Sequence, residues 1–357
     1  MIQISHHLNE MEPIMPMKLT AGKIAGLEAV SNERGVIAAV AMDQRGLLKK
    51  MLARELGVPD PPEAMMIEFK RLVAGSLTME ASAILLDVEY GLPGAKNING
   101  KGLLLAYEKS GYDASGPEKL PSLTEGWSVL RLKESGADCI KILVYYTPFE
   151  NAWVNEQKKA WVERIGAECR ANDIPFFLEF LAYDVHGEDE AGLDFAMRKP
   201  EIVRKSIEEF TQERYAADVL KIEAPVQMAF VSGTRSFNGN PAYTRSEAMD
   251  LFRSTAASTD KPIVYLSAGV SSTVFVETLE LAVESGVDFH GVLGGRAIWQ
   301  DGVPIYVKRG AAGLESWLKT TGMQNVSNVK EVLKSARPWY AARSMQGAAA
   351  CAVPLGG

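Results

Sequence analysis

Three cysteines, Cys139, Cys169 and Cys351, are too few for a disulfide framework and lack metal-ligand spacing. They read as reduced thiols in a cytoplasmic protein. Histidine is equally sparse. An enzymatic zinc centre needs about three converging ligands, mostly imidazoles. His6 and His7 lie in the N-terminal stretch, His186 stands alone and His290 opens a strand candidate, so no metal and no cofactor is expected. No apolar run approaches the ~20 residues that span a bilayer. The first twenty residues, interrupted by Glu10 and Glu12, lack the basic start and apolar core of a secretion signal. Basic charge is not in excess either. The net charge is −7 with both signs interspersed, which argues against a nucleic-acid surface.

What is present is enough apolar material, 47% of 357 residues, for a sizeable core. No mid-chain segment rich in Pro, Gly or Ser marks a linker. The expected organisation is an extension over 1–19, one domain over 20–340 and a small-residue tail over 341–357. Eight strand candidates recur: 35–43 (GVIAAVAMD), 81–91 (ASAILLDVEYG), 102–108 (GLLLAYE), 138–146 (DCIKILVYY), 174–184 (IPFFLEFLAYD), 218–226 (DVLKIEAPV), 262–270 (PIVYLSAGV) and 289–295 (FHGVLGG). Most are near-continuous apolar runs, the mark of strands covered on both faces, as in parallel sheets. Between them, 124–138, 155–173 and 271–288 carry helical spacing, the first with Thr124 as its cap candidate. Eight strands alternating with helices predict an α/β fold, a (β/α)8 TIM barrel. A doubly wound sheet is the alternative, disfavoured because no Gly-x-Gly-x-x-Gly follows the first strand.

In such a barrel, chemistry gathers at the C-terminal ends of the strands. Asp43, Gln44 and Arg45 end the first strand, and Asp87 and Glu89 the second. Lys141 lies in the fourth, Glu179 in the fifth, and Lys221 and Glu223 in the sixth. Charged groups in apolar strands need partners. Asp43, Asp87, Glu179, Lys141 and Lys221 are expected to point into one mouth, either as a site or as a salt-bridge network closing the barrel. Ser267 and Gly269 after strand seven, with Gly294, Gly295 and Arg296 after strand eight, place small residues before helices where free N–H groups suit a phosphate. A buried lysine beside a second cation, here Lys141, becomes a carbonyl nucleophile, with Glu179 as proton shuttle. Lys221 is thus placed to form a Schiff base.

The segments 31–51 (SNERGVIAAVAMDQRGLLKKM), 176–184 (FFLEFLAYD), 219–226 (VLKIEAPV), 265–282 (YLSAGVSSTVFVETLELA) and 291–299 (GVLGGRAIW) resemble the tagatose 1,6-bisphosphate aldolase family. These are class I, Schiff-base aldolases with a barrel fold. The resemblance runs from about Thr20 to Trp339. It implies Lys221 as the Schiff-base lysine, Glu179 as the proton-transferring carboxylate, and Asp43 and Lys141 as their polar partners. It also implies Ser267, Gly269, Gly295 and Arg296 at the phosphate of the ketone half, and Gln44 and Arg45 at the substrate's other end. The implied partner is a small phosphorylated ketose cleaved without a metal. Two alternatives accompany this reading: a sulfofructose 1-phosphate aldolase of the same mechanism, and a non-catalytic sugar-phosphate-binding regulator. Phe149, Trp153 and Trp161 are read as core rather than as a homo-oligomer contact.

Overall fold

The computed structural model describes residues 19–109, 116, 118–187 and 189–345. The expectations for the stretches before 19 and after 345, with His6, His7 and Cys351, lie outside these residues.

Eight parallel strands close into a barrel. They are β1 (Ile37–Met42), β2 (Ala83–Asp87), β3 (Gly102–Ala106) and β4 (Cys139–Tyr145). The second half comprises β5 (Phe176–Leu181), β6 (Val219–Ile222), β7 (Ile263–Leu266) and β8 (Gly291–Gly294). Each neighbours the next in sequence, and β8 pairs with β1, so β3 and β7 stand opposite one another across the ring. The two-residue period of a strand divides its side chains between two cores. Ile37, Ala39, Ala41, Leu85, Leu104 and Phe177 fill the interior. Val40, Met42, Ile84, Leu86, Ile142 and Leu178 face the surrounding helices. Both sets are apolar, which is why the strands read as unbroken apolar runs.

The N-terminal end of the barrel is plugged. Leu27 and Val30, at and just beyond the end of the helix Ala21–Ala29, join Trp339, Ala342 and Met345 in the interior core. Lys23 of that helix donates to both oxygens of Asp218 at 2.8 Å. Packing therefore runs on to Met345, beyond residue 340, and access is left to the C-terminal mouth.

Several local expectations shift. The helix expected from Thr124 is Val129–Glu134, capped by Ser128, whose Oγ accepts from Arg131 N. The Thr124 hydroxyl instead donates to the Glu108 carbonyl at 3.1 Å. Expected helix 155–173 begins earlier, at Ala152, because Asn151 caps it. Expected helix 271–288 is Ser272–Glu284 with Ser271 as its cap. A short parallel ladder, Val231–Ser232 on Tyr243–Thr244, had no sequence signal. Assigning Phe149 and Trp153 to the core is overturned: they are 49% and 62% exposed. Trp161 does pack against the outer core.

Candidate active site

Period two also sets the site. Cys139, Phe177 and Val219 sit in the barrel interior. Two residues further on, Lys141, Glu179 and Lys221 take the next layer toward the mouth, and Glu179 lies in register with Lys221 on the adjacent strand. The three are 0%, 5% and 2% exposed, so each must be satisfied by the others or by a ligand.

Their contacts are specific. Lys221 Nζ lies 2.9 Å from Glu179 Oε2, and Lys141 Nζ lies 2.7 Å from the same oxygen. Lys141 also holds Asp43 Oδ2 and Glu108 Oε1, each at 2.8 Å. Burial alone would drive the Lys141 amine down, but Asp43, Glu108 and Glu179 outweigh it and raise it well above its ordinary value. Lys141 is therefore a fixed cation beside Lys221. Burial pushes the Asp43 carboxyl up, yet Lys141, Lys221 and Lys70 overcome this and hold it well below the usual carboxylate range. Glu108 goes the other way. Burial raises it, nearby Asp43 adds to the rise, and Lys141 offsets only part.

Above this layer is a cavity of about 490 Å³ whose walls include Asp43, Glu108, Glu179, Lys221, Ser267 and Arg296. On its β7–β8 side, Gly295 N–H donates to Ser267 Oγ at 3.3 Å. Ala268 and Gly269 both have positive φ, 45° and 79°. A Cβ on Gly269 would lie 2.4 Å from the Arg296 guanidinium, so glycine there lets the guanidinium lie across the turn. The result is a small-residue pocket with a half-buried cation beside it, suited to a phosphate.

Gln44, after β1 and so next to β8, lies beside this pocket, where a Cβ on Gly295 would meet its Nε2 at 3.3 Å. That Nε2 donates to Asp43 Oδ1 at 3.0 Å, while Gln44 Oε1 is buried without a partner. Arg45 lines the cavity but is partly committed to the protein: Nη2 donates to the Glu108 carbonyl at 2.6 Å.

Two expected members stand apart. Asp87 does not join the mouth. It is fully buried and ion-paired with Lys70, which reaches it from the helix Glu63–Leu77 and also donates to the Met42 carbonyl at 2.9 Å. Gly294 is absent from the cavity wall. It pairs with Val40 inside the sheet, and a Cβ on it would meet Ile298 at 3.1 Å. Conversely, sequence reasoning did not single out Glu108, Lys50, Lys109, Tyr145 or Glu190, all on the cavity wall. For Glu108 the signal existed, since it lies two residues past the interior residue Ala106.

Glu223, also on the wall, is held by Lys199 at 3.0 Å and accepts from Ala182 N–H at 2.8 Å. His290 precedes β8; its Nδ1 accepts from Ile263 N–H at 3.1 Å, and burial lowers it to about 4. Among the described residues no group of three His, Cys, Asp or Glu side chains is arranged to hold a metal ion. No helix among them is long and apolar enough to cross a membrane.

A closed parallel barrel carrying an amine–carboxylate contact and an anion pocket at its open mouth is the equipment of a barrel enzyme acting on phosphorylated carbonyl compounds. Residues 37–301 match the model of the DeoC/LacD family aldolases. The chain is 48% identical to the tagatose 1,6-diphosphate aldolase of Listeria monocytogenes serotype 4a over 91% of this chain and 95% of that one. It is likewise 48% identical to tagatose 1,6-diphosphate aldolase 2 of Enterococcus faecalis, covering 98% of that protein. The chain belongs to the DeoC/LacD family of aldolases. Among solved structures, the fold matches the Plasmodium falciparum fructose-bisphosphate aldolase with a TM-score of 0.64 at 14% identity, covering 90% of this chain and 98% of that one. It also matches a Schiff-base-forming fructose-1,6-bisphosphate aldolase with a TM-score of 0.54 at 15% identity, covering 87% and 98%.

Proposed function

We propose that this aldolase cleaves a ketose 1,6-bisphosphate, tagatose 1,6-bisphosphate and its epimers, into dihydroxyacetone phosphate and glyceraldehyde 3-phosphate through an imine on Lys221. The single observation that carries the reading is the 2.9 Å contact between Lys221 Nζ and Glu179 Oε2 at the wall of the mouth cavity. An amine and a proton acceptor in contact there are the pair that imine chemistry requires.

The proposed steps are these. The Lys221 amine adds to the C2 carbonyl, and loss of water gives an iminium. Glu179 accepts the C4 hydroxyl proton as the C3–C4 bond breaks, and the bonding electrons move into the iminium to form an enamine. Glyceraldehyde 3-phosphate departs. Glu179 then returns a proton to C3, and water releases dihydroxyacetone phosphate and the amine. A general acid–base group so placed contributes ~10²–10⁴ in rate. Lys141 stays charged throughout and keeps Asp43 and Glu179 oriented. Ser267, Gly269, Gly295 and Arg296 hold the C1 phosphate.

The relatives' names favour this reading over sulfofructose 1-phosphate and over a binding-only role. A cytoplasmic location accords with the buried, unpaired Cys139 and Cys169. Self-association through the exposed Phe149 and Trp153 is part of the proposal. Turnover of fructose, tagatose and sorbose 1,6-bisphosphates and of sulfofructose 1-phosphate, measured in a strong chelator, tests it. Cleavage of the bisphosphates that Lys221→Ala abolishes is expected; sulfofructose 1-phosphate as the sole substrate, or loss of activity to the chelator, overturns it.

A further inference from the structure

Glu108 keeps an oxygen in reserve. Its Oε1 accepts from Lys141 Nζ at 2.8 Å, whereas its Oε2 is buried and has no hydrogen-bond partner. The residue is 5% exposed and forms part of the cavity wall. A buried polar atom left unmatched costs about 1–3 kcal/mol, and here the cavity beside it is where a ligand group would satisfy it.

Which part of the ligand follows from the ring of strands. Glu108 lies two residues beyond β3, which stands opposite β7. Ser267 and Gly269, the turn read as the C1 phosphate pocket, follow β7. With the ketone half anchored between that turn and Lys221 of β6, the remaining carbons would extend toward β3 and β4.

We propose that Glu108 is a substrate-contacting residue whose free Oε2 hydrogen-bonds a hydroxyl on the half of the ketose that leaves as the aldehyde. Resting on the lysine-imine reading above, this extends it from the reacting atoms to recognition of the polyol chain. Four charged groups surround the residue. Lys141 from β4 touches Oε1, Asp43 at the end of β1 shares that lysine, Arg45 binds the Glu108 carbonyl, and Glu179 of β5 meets the same Lys141 amine. Two carboxyls bound to one cation are driven apart, Asp43 downward and Glu108 upward, so of the two Glu108 holds a proton the more readily.

Three variants test this. Glu108→Gln keeps a neutral donor of the same shape and is expected to retain kcat/KM for the bisphosphate within about threefold. Glu108→Leu removes the donor and is expected to lose about 10²-fold or more. Glu108→Asp, which draws the acid back by one methylene, is expected to lose about tenfold and decides the matter if the Leu variant does not fold. In the Gln variant, whose amide oxygen can still accept from Lys141, borohydride capture of dihydroxyacetone phosphate on Lys221 should proceed at the wild-type rate, since that ligand lacks the aldehyde half. Undiminished cleavage by the Leu and Asp variants, a Gln variant as impaired as the Leu variant, or parallel loss of capture overturns the inference. Wild-type protein that forms no adduct would instead overturn the imine reading itself.

Discussion

Replacing Lys141 with methionine should make stability fall as pH rises between 5 and 8. In the wild-type fold one buried amine faces Asp43, Glu108 and Glu179 at 2.8, 2.8 and 2.7 Å. Asp43 is depressed below its ordinary 3.8, so its contribution is present above that value and lost as pH falls below it. Lys141 is raised above 10.5, so its contribution is present below that value and lost as pH climbs beyond it. Both are at full strength between pH 5 and 9. Removing the cation leaves the Asp43, Glu108 and Glu179 carboxyls without their shared partner, and breaking a buried pair costs about 3–5 kcal/mol. For a chain of 357 residues, at about 2.1 cal/mol/K of unfolding entropy per residue, that lowers Tm by roughly 4–7 °C near neutrality. Without Lys141, burial and mutual repulsion favour the protonated carboxyls, so the variant should regain stability as pH falls from 8 to 5. Thermal unfolding followed by circular dichroism across pH 5–9 measures this. A Lys141→Met protein with the wild-type profile, or one less stable at pH 5 than at pH 8, would refute the reasoning.

Two further variants separate architecture from chemistry. Gly269→Ala forces a Cβ into left-handed backbone and against the Arg296 guanidinium; KM for the bisphosphate should rise about tenfold or more while Tm falls modestly, measured by steady-state kinetics and thermal unfolding. Lys70→Met leaves Asp87 charged and unpaired in a fully buried position and should cost about 3–5 kcal/mol in denaturant titration, whereas Lys70→Met with Asp87→Leu should recover most of it.

The barrel was legible because every strand is apolar on both faces, so eight runs stood out against amphipathic helices. The reactive layer was legible for the opposite reason: Lys141, Glu179 and Lys221 interrupt such runs, and a charge there demands a partner. The same logic misplaced Asp87. Its alternation matches the others, but its partner is Lys70 on a surrounding helix, and no local pattern reveals which lysine reaches inward. Glu108 escaped notice because it ends its strand, where a charge looks like ordinary solvent contact. Thr124 resembled a cap, yet its hydroxyl serves the Glu108 carbonyl, a contact made by chain folding rather than by sequence neighbours. Phe149 and Trp153 are aromatic but lie on the outer surface, where composition alone assigns them inward.

The most direct measurement is peptide mass mapping after borohydride reduction in the presence of dihydroxyacetone phosphate. The account predicts one covalent adduct per chain, on the peptide containing Lys221, and none in Lys221→Ala. An unmodified Lys221 peptide from enzyme that is turning over, or an adduct on another lysine that persists in Lys221→Ala, would contradict it.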